Sequence, residues 1–208
     1  MVSIYFAGEL FSLKHLTGNA LLADAISRIS NGQFSCVLPQ TLEERAMSAR
    51  AIRDQDIVAL LACDLAIFNF DGPELDSGTV SEFMLAKFAD IPSLLLRTDF
   101  RRGGDQGNDP WNLMLSFYPR TRNLCLNSLE IYKASIAEGL SPVQAGVSMV
   151  QQVAQAIVRE LEMLIQSPPE MSTELAEPVF RWLSQLSGLE SPEDVQRVLT
   201  LLTGKKRW

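Results

Sequence analysis

The sequence predicts an α/β protein, a doubly wound parallel sheet of about five strands followed by a C-terminal helical extension. Up to residue 126, short apolar runs rich in β-branched and aromatic residues alternate with segments of helical period. This alternation is typical of parallel strands joined by right-handed crossovers. From residue 128 onward only helical patterns follow, and they predict an all-helical end.

Each predicted strand is a short apolar run that ends near turn-forming residues. The strands are predicted at 2–7, 34–38, 65–70 and 92–97, with a shorter fifth strand at 124–126. Helical periods connect them at 19–29, 41–61 and 79–89. The middle helix is predicted to begin at Thr41, because Thr41 and Glu44 have capping-box spacing. The segment 99–109 is rich in Gly, Asp and Arg and predicts a long loop, which in a compact domain is more often functional than idle.

The chain divides into two predicted regions, an α/β domain at 1–127 and a helical extension at 128–208. The helices of the extension are predicted at 128–137, 142–165, 178–186 and 191–202. Pro142 suits a first helical turn. Because the long helix at 142–165 has a periodic apolar face, we expect the extension to pack on the core or to form oligomer contacts.

Composition excludes several classes of function. The 208 residues carry a net charge of −7, which disfavours nucleic acid polymers and anionic membranes as partners but not a neutral nucleoside. The 3 cysteines have neither disulfide-framework nor zinc spacing, and His15 is the 1 histidine, so we expect no metal site and no cofactor. Without a signal peptide or a long apolar span, the expected location is the cytoplasm.

Acidic residues cluster at 71–82, where the predicted third strand runs into a helix. The carboxyl ends of parallel strands are where open α/β sheets bind ligands. A carboxylate there can attack an anomeric carbon while a second acid protonates the leaving group, as in retaining glycosidases. Glu82 is the candidate nucleophile, with Asp56 or another acid as proton donor. The alternative is structural: Glu82 as a first-turn acid and Asp76 as a helix N-cap.

Several motifs together resemble the nucleoside 2-deoxyribosyltransferases over residues 2–126. They are the segment 2–12, the Asp56-x7-Asp64 spacing, Asp76-Ser-Gly-Thr-x-x-Glu82 and Asn112-Leu-Met114. The resemblance implies a flavodoxin-like sheet and a homo-oligomeric enzyme of nucleoside salvage that needs no cofactor. Its partners would be 2-deoxynucleosides and free purine or pyrimidine bases.

The resemblance also implies roles for individual residues. Glu82 would attack the anomeric carbon and hold the deoxyribosyl group as an ester until another base accepts it. Asp56 would hydrogen-bond the nucleobase and shuttle its proton. The Tyr5 hydroxyl would orient Glu82, with a plain core aromatic as the alternative.

The implied substrate-binding residues extend over the matched motifs. Asp76 would bind sugar hydroxyls, and Asn112 would be inserted by a neighbouring subunit. Gln40 follows the second predicted strand and is a candidate for the base edge, because an amide both donates and accepts hydrogen bonds. The remaining members of the predicted site are Gly8, Phe11, Gly78 and Met114. Asp71 and Glu74 have no implied role and are interpreted as turn residues.

Two other functions compete with deoxyribosyl transfer. A related hydrolase would cleave deoxynucleoside 5′-monophosphates and pass the sugar to water. The carboxylate of Asp76 speaks against it, because it would repel a phosphate in a partly buried site. The second competitor is a non-catalytic nucleotide-sensing module, for which the long helical extension is the only argument.

Overall fold

A computed structural model of the chain describes residues 1–42, 47–99, 112–186, 195–196 and 199–200. Five strands are formed by β1 Val2–Ala7, β2 Phe34–Val37, β3 Leu65–Asn69, β4 Ser93–Arg97 and β5 Thr121–Cys125. The helices are α1 Leu13–Ile29, α2 Ala49–Ala62, α3 Ser77–Phe88, α4 Ser128–Ala137, α5 Pro142–Leu164 and α6 Thr173–Leu186. A 3-10 turn at Pro39–Thr41 follows β2.

The strands form one parallel sheet in the order β2-β1-β3-β4-β5. This is the flavodoxin-like order, so the predicted fold class is confirmed. The chain crosses from β1 to β2 on one side and returns to β3 on the other, and Tyr5 of β1 aligns with Ala66 of β3. The crevice beyond the carboxyl ends of β1 and β3 is therefore the switch point at which ligands bind in such sheets.

Alternate strand residues build two separate apolar layers. Tyr5 and Phe68 pack against α2, α3 and α6, and we call this side the Tyr5 face. Phe6 and Ile67 point to the opposite side, the Phe6 face, which is covered by α1 and α5. Both layers contain fully buried aromatic rings, so the central strands are apolar on both sides, as expected for a parallel sheet.

The long helix α5 lies on the Phe6 face. Its buried residues Val153, Ile157 and Leu161 pack in the same cluster as Ile26 of α1 and Phe6 of β1. Ser141 caps the helix with a capping box, and Pro142 occupies the first turn as predicted. The division of the chain at residue 127 stays a prediction. Within the described residues, no helix is both long and apolar enough to cross a membrane.

Three predicted helix starts differ from the structure. Ser12 caps α1, so this helix begins before the predicted Asn19. The capping-box prediction at Thr41 is wrong, because the Thr41 hydroxyl donates to the Leu38 carbonyl and Ser48 caps α2 instead. The predicted partner Glu44 lies outside the described residues. Helix α6 begins at Thr173 and contains Pro178, which forfeits a backbone hydrogen bond in an early turn.

Two further predictions fall largely outside the described residues. Of the predicted loop at 99–109, only Asp99 is described. Of the predicted last helix at 191–202, the described residues 195–196 and 199–200 are helical.

Candidate active site

Tyr5 and Glu82 meet at the Tyr5 face. Tyr5 stands on β1, and its side chain is buried between the sheet and α3. Its hydroxyl donates to Oε1 of Glu82 at 2.7 Å. A phenol that donates to a carboxylate at this distance makes a strong, charge-assisted hydrogen bond. The structure thus makes Tyr5 a core aromatic whose polar end also holds Glu82.

Asp76 sets where α3 begins and therefore where Glu82 stands on it. Oδ2 of Asp76 accepts the backbone N–H of Thr79 at 2.7 Å and the Thr79 hydroxyl at 2.8 Å. The N-cap interpretation of Asp76 is confirmed. The first-turn interpretation of Glu82 is wrong, because the first turn of α3 holds no acid and Glu82 lies in the second turn, beyond the strongest part of the helix dipole.

The surroundings of Glu82 favour its protonated form. Burial raises the pKa of Glu82 from 4.5 to about 7; the Tyr5 hydrogen bond opposes this shift, and the negative charges of Asp56 and Asp76 add to it. Burial and the adjacent Glu82 charge raise the pKa of Tyr5 far above its ordinary value. Tyr5 therefore keeps its proton and remains a hydrogen-bond donor wherever Glu82 is ionised.

Asp56 acts on the same pair from α2. It lies half-buried on that helix, and its negative charge raises the pKa of both Glu82 and Tyr5. Three acids, Asp56, Asp76 and Glu82, thus share one electrostatic environment at the switch point. Among the described residues, no group of three or more His, Cys, Asp or Glu side chains is arranged to hold a metal ion.

Two glycines of the predicted site have close neighbours that leave little room for a side chain. A Cβ at Gly8 would lie 3.1 Å from Cβ of Asn69 and 3.3 Å from its carbonyl, so a side chain there would push β1 from β3. A Cβ at Gly78 would lie 3.1 Å from Oδ2 of Asp76, the oxygen that caps α3. Both positions favour glycine, because a larger residue would crowd Asn69 in β3 or the carboxylate of Asp76 that caps α3.

Four other predicted residues make no hydrogen bond to Tyr5 or Glu82 within the described parts of the chain. The side-chain amide of Gln40 hydrogen-bonds to α1: it donates to the Leu16 carbonyl at 3.0 Å and accepts from Asn19 at 3.4 Å. Asn112 accepts from two backbone N–H groups of its own turn, at 2.9 and 3.1 Å. Phe11 and Met114 are 75% and 72% exposed.

A set of hydrogen bonds joins the ends of β3 and β4, and the sequence did not predict it; we call it the tie between β3 and β4. Asp71, interpreted as a turn residue, accepts the backbone N–H and the hydroxyl of Thr98 at 2.5 and 2.7 Å. Arg97 is buried and donates to the carbonyls of Phe70 and Gly72 at 2.6 and 3.2 Å. These bonds fix the segment that leads from β3 to Asp76. An arginine at the end of an otherwise apolar strand was the only signal in the sequence.

Asp64, the second acid of the Asp56-x7-Asp64 spacing, has a structural position. Its Oδ2 accepts from the backbone N–H and the hydroxyl of Ser3 at 2.8 and 2.7 Å. Ser3 lies at the beginning of β1, and Asp64 precedes β3. Asp64 therefore joins these two strands at their amino ends, opposite the edge that carries Glu82.

The comparisons with known proteins place the chain in a family. The sequence model of nucleoside 2-deoxyribosyltransferase matches residues 4–114, which is more than half of the chain. The chain belongs to the nucleoside 2-deoxyribosyltransferase family. The matched range contains Tyr5, Asp56, Asp76 and Glu82, and it confirms the resemblance inferred from the motifs. A comparison with curated proteins gave no match.

Solved structures with a similar fold have low sequence identity to this chain. A conserved protein from Enterococcus faecalis V583 is 24% identical over 78% of this chain and 98% of that one, with a TM-score of 0.49. A 2-desoxiribosyltransferase from Leishmania mexicana is 23% identical over 66% and 98%, with a TM-score of 0.47. The CMP N-glycosidase BcmB from Clostridium botulinum is 15% identical over 65% and 98%, with a TM-score of 0.42.

Proposed function

We propose that this protein transfers 2-deoxyribose between nucleobases through a covalent ester on Glu82, a reaction of nucleoside salvage. The observation that supports this most is the 2.7 Å hydrogen bond from the Tyr5 hydroxyl to Oε1 of Glu82. It fixes one carboxylate oxygen and leaves Oε2 as the attacking atom. A nucleophile with a pKa of about 7 is ionised in a useful fraction at neutral pH.

The reaction has two steps that use the same atoms in opposite order. Oε2 of Glu82 attacks C1′ of a 2-deoxynucleoside while the bond from C1′ to the base nitrogen breaks and its electron pair leaves with the base. Asp56 gives a proton to the departing base. An acceptor base then attacks C1′, the ester bond breaks, and Asp56 takes back the proton that the acceptor releases.

Asp76 supports a nucleoside rather than a nucleotide as the substrate. Its Oδ2 is occupied by Thr79, whereas Oδ1 makes no hydrogen bond within the described residues. We assign Oδ1 to a sugar hydroxyl, which donates well to a carboxylate. A 5′-phosphate near the charge of Asp76 would be repelled, most strongly where water is excluded.

We further propose that the active protein is a homo-oligomer whose neighbouring subunit contributes Asn112 and Met114. The exposure of Met114 and Phe11 supports this, because exposed large apolar side chains favour a protein contact. An active monomer would contradict this part of the proposal. Sedimentation equilibrium of the protein, combined with activity measured at the same concentrations, tests it.

The function is tested by separating transfer from hydrolysis. We expect deoxyadenosine to form from deoxyinosine and adenine together, with much slower release of base from deoxyinosine alone. Cleavage restricted to deoxynucleoside monophosphates, with water as the acceptor, would overturn the proposal in favour of an N-glycosidase. No reaction with either substrate class would favour a non-catalytic module.

The nucleophile is tested by a matched pair of variants in the same segment. Glu82→Ala should abolish both transfer and base release, because it removes the oxygen that is proposed to form the ester. Glu74→Ala removes an exposed acid between β3 and α3 and should leave both rates unchanged. Mass spectrometry of the intact protein with deoxyinosine and no acceptor should show a deoxyribosyl adduct that is missing in Glu82→Ala.

A further inference from the structure

A cavity of about 190 Å³ lies on the Phe6 face, at the carboxyl ends of the strands. One wall is apolar and is formed by Leu22 of α1 with Met149, Val150 and Val153 of α5. These side chains belong to, or pack against, the apolar layer of that face. The cavity is therefore bounded on this side by two helices, and Glu9, Asp71 and Thr98 line it from the segments that follow β1, β3 and β4.

The remaining lining is polar: it includes the charged side chains of Glu9, Lys14 and Asp71, together with amide and hydroxyl groups that have atoms left for a ligand. Asn19 is 6% exposed, and its Nδ2 donates to the Glu9 carbonyl, so its Oδ1 remains as an acceptor. Asn69 accepts from the backbone through Oδ1, which leaves its Nδ2 as a donor. Within the described parts of the chain, these two atoms and the Ser128 hydroxyl make no hydrogen bond. A ligand with both donors and acceptors would satisfy them.

The cavity is distinct from the candidate active site. None of the predicted site residues lines it, and the sheet separates it from Tyr5 and Glu82, because Asn69 points to the face opposite Phe68 and Phe70. One connection exists through Asn19, whose amide also donates to Gln40 at 3.4 Å. A ligand that hydrogen-bonds to Asn19 would therefore contact the residue that donates to Gln40, whose amide is predicted to bind the edge of the base.

We propose that this cavity binds a single-ring heterocycle of the pyrimidine-base class. Its volume sets the size, because an apolar cavity of roughly 150 Å³ already accommodates benzene. The apolar wall provides a surface for the flat ring, and the amide groups of Asn19 and Asn69 match the adjacent carbonyl and N–H groups on a pyrimidine edge. This proposal rests on the cavity alone and stands whether or not Glu82 is a nucleophile.

A glycine in the cavity wall provides the decisive variant. Gly18 lies in α1 and lines the cavity, and a Cβ added there meets nothing within 4 Å. Gly18→Leu should therefore fill the cavity without disturbing the helix. Gly146→Leu is the matched control, because Gly146 lies in α5 outside the lining and its added Cβ also meets nothing within 4 Å.

Equilibrium dialysis with uracil and with cytosine measures the result, in Glu82→Ala protein so that no turnover occurs. We expect Gly18→Leu to remove one binding equivalent per chain, and Gly146→Leu to remove none. Absence of base binding, or equal stoichiometry in both variants, would overturn the proposal. Because the readout is binding in an inactive background, failure here is distinguishable from failure of the transfer reaction.

Methyl NMR of the chain without the glycine substitutions gives an independent measurement should Gly18→Leu fail to fold. Uracil should shift the methyl signals of Met149 and Val153, which line the cavity, more than those of Leu60 on the Tyr5 face. Shifts confined to the Tyr5 face would place the base in the candidate active site only and would overturn the proposal.

Discussion

Replacing Tyr5 with Phe removes one hydroxyl from the candidate site and leaves the ring in place. That hydroxyl donates to Glu82 at 2.7 Å and is the influence that lowers the pKa of Glu82 against burial and two neighbouring acids. Without it, the ionised form of Glu82 loses its nearest donor. The proposed nucleophile would then be protonated at neutral pH and inactive.

The size of the effect follows from the hydrogen bond. A bond to a charged group contributes about 1.5–3 kcal/mol, which corresponds to roughly 1–2 pH units. The pKa of Glu82 should therefore rise from about 7 to roughly 8–9. At pH 7 the ionised fraction then falls from about one half to between about one tenth and one hundredth, and kcat/KM should fall roughly 5- to 50-fold.

The assay is the pH profile of kcat/KM for deoxyinosine with adenine as acceptor. The acidic limb of Tyr5→Phe should move to higher pH, and much of the activity should return near pH 9–10. Tyr118→Phe is the control, because its ring also packs against Phe83 on the same face. A uniform loss at every pH, with the limb unmoved, would refute the electrostatic role of Tyr5 and leave only a packing role.

Three further predictions concern α3. Thr79→Val should lower kcat/KM for deoxynucleosides roughly 2- to 10-fold, because Asp76 loses the hydrogen bond from the Thr79 hydroxyl. Thr79→Ser keeps a hydroxyl and should restore the activity. Equal activity of the two variants would show that Thr79 is not a positioning residue. Glu82→Gln should raise the free energy of unfolding at pH 8, measured by urea denaturation, by up to about 3 kcal/mol. The increase should be small at pH 4.5. The control variant Glu74→Gln should show no increase at either pH. We expect the stability of the parent protein to increase between pH 7 and 10 because of Lys87, and Lys87→Met should flatten this increase. An unchanged slope would contradict the assignment to Lys87.

The sheet could be predicted because each central strand is a short apolar run that can be recognised in the sequence without knowledge of its neighbours. The apolar runs of β1, β3 and β4 differ from every neighbouring segment, and the structure places all three within a residue of the predicted bounds. The start of α1 has no such signal. Leu13 is 81% exposed, so the first turn does not pack against the core, and the N-cap residue Ser12 marks the beginning of the helix instead.

The candidate site could not be assembled from local patterns. Tyr5 and Glu82 are separated by 77 residues in the sequence, and Asp71 and Thr98 by 27. Only the strand order brings these pairs together, and neither periodicity nor capping determines it. The resemblance to a known family therefore paired Tyr5 with Glu82, whereas the tie between Asp71 and Thr98 lies outside its motifs and was missed.

Two ionisable groups on α3 make pH act on stability in opposite directions. Because the folded pKa of Glu82 is raised from 4.5 to about 7, folding becomes less favourable as pH rises through that window. Burial and the nearby Arg120 charge lower the pKa of Lys87 from 10.5 to about 7, so folding becomes more favourable as pH rises above 7.

Together, these two effects give the contribution of α3 to the free energy of unfolding a minimum near pH 7. Nζ of Lys87 donates to the Arg120 carbonyl and to the Thr121 hydroxyl at 3.3 and 3.0 Å, and these bonds attach the end of α3 to the beginning of β5. Within the described parts of the chain, the Glu82 carboxylate accepts one hydrogen bond, from Tyr5. A carboxylate that destabilises the fold and is bonded on one side only is the arrangement expected of a nucleophile.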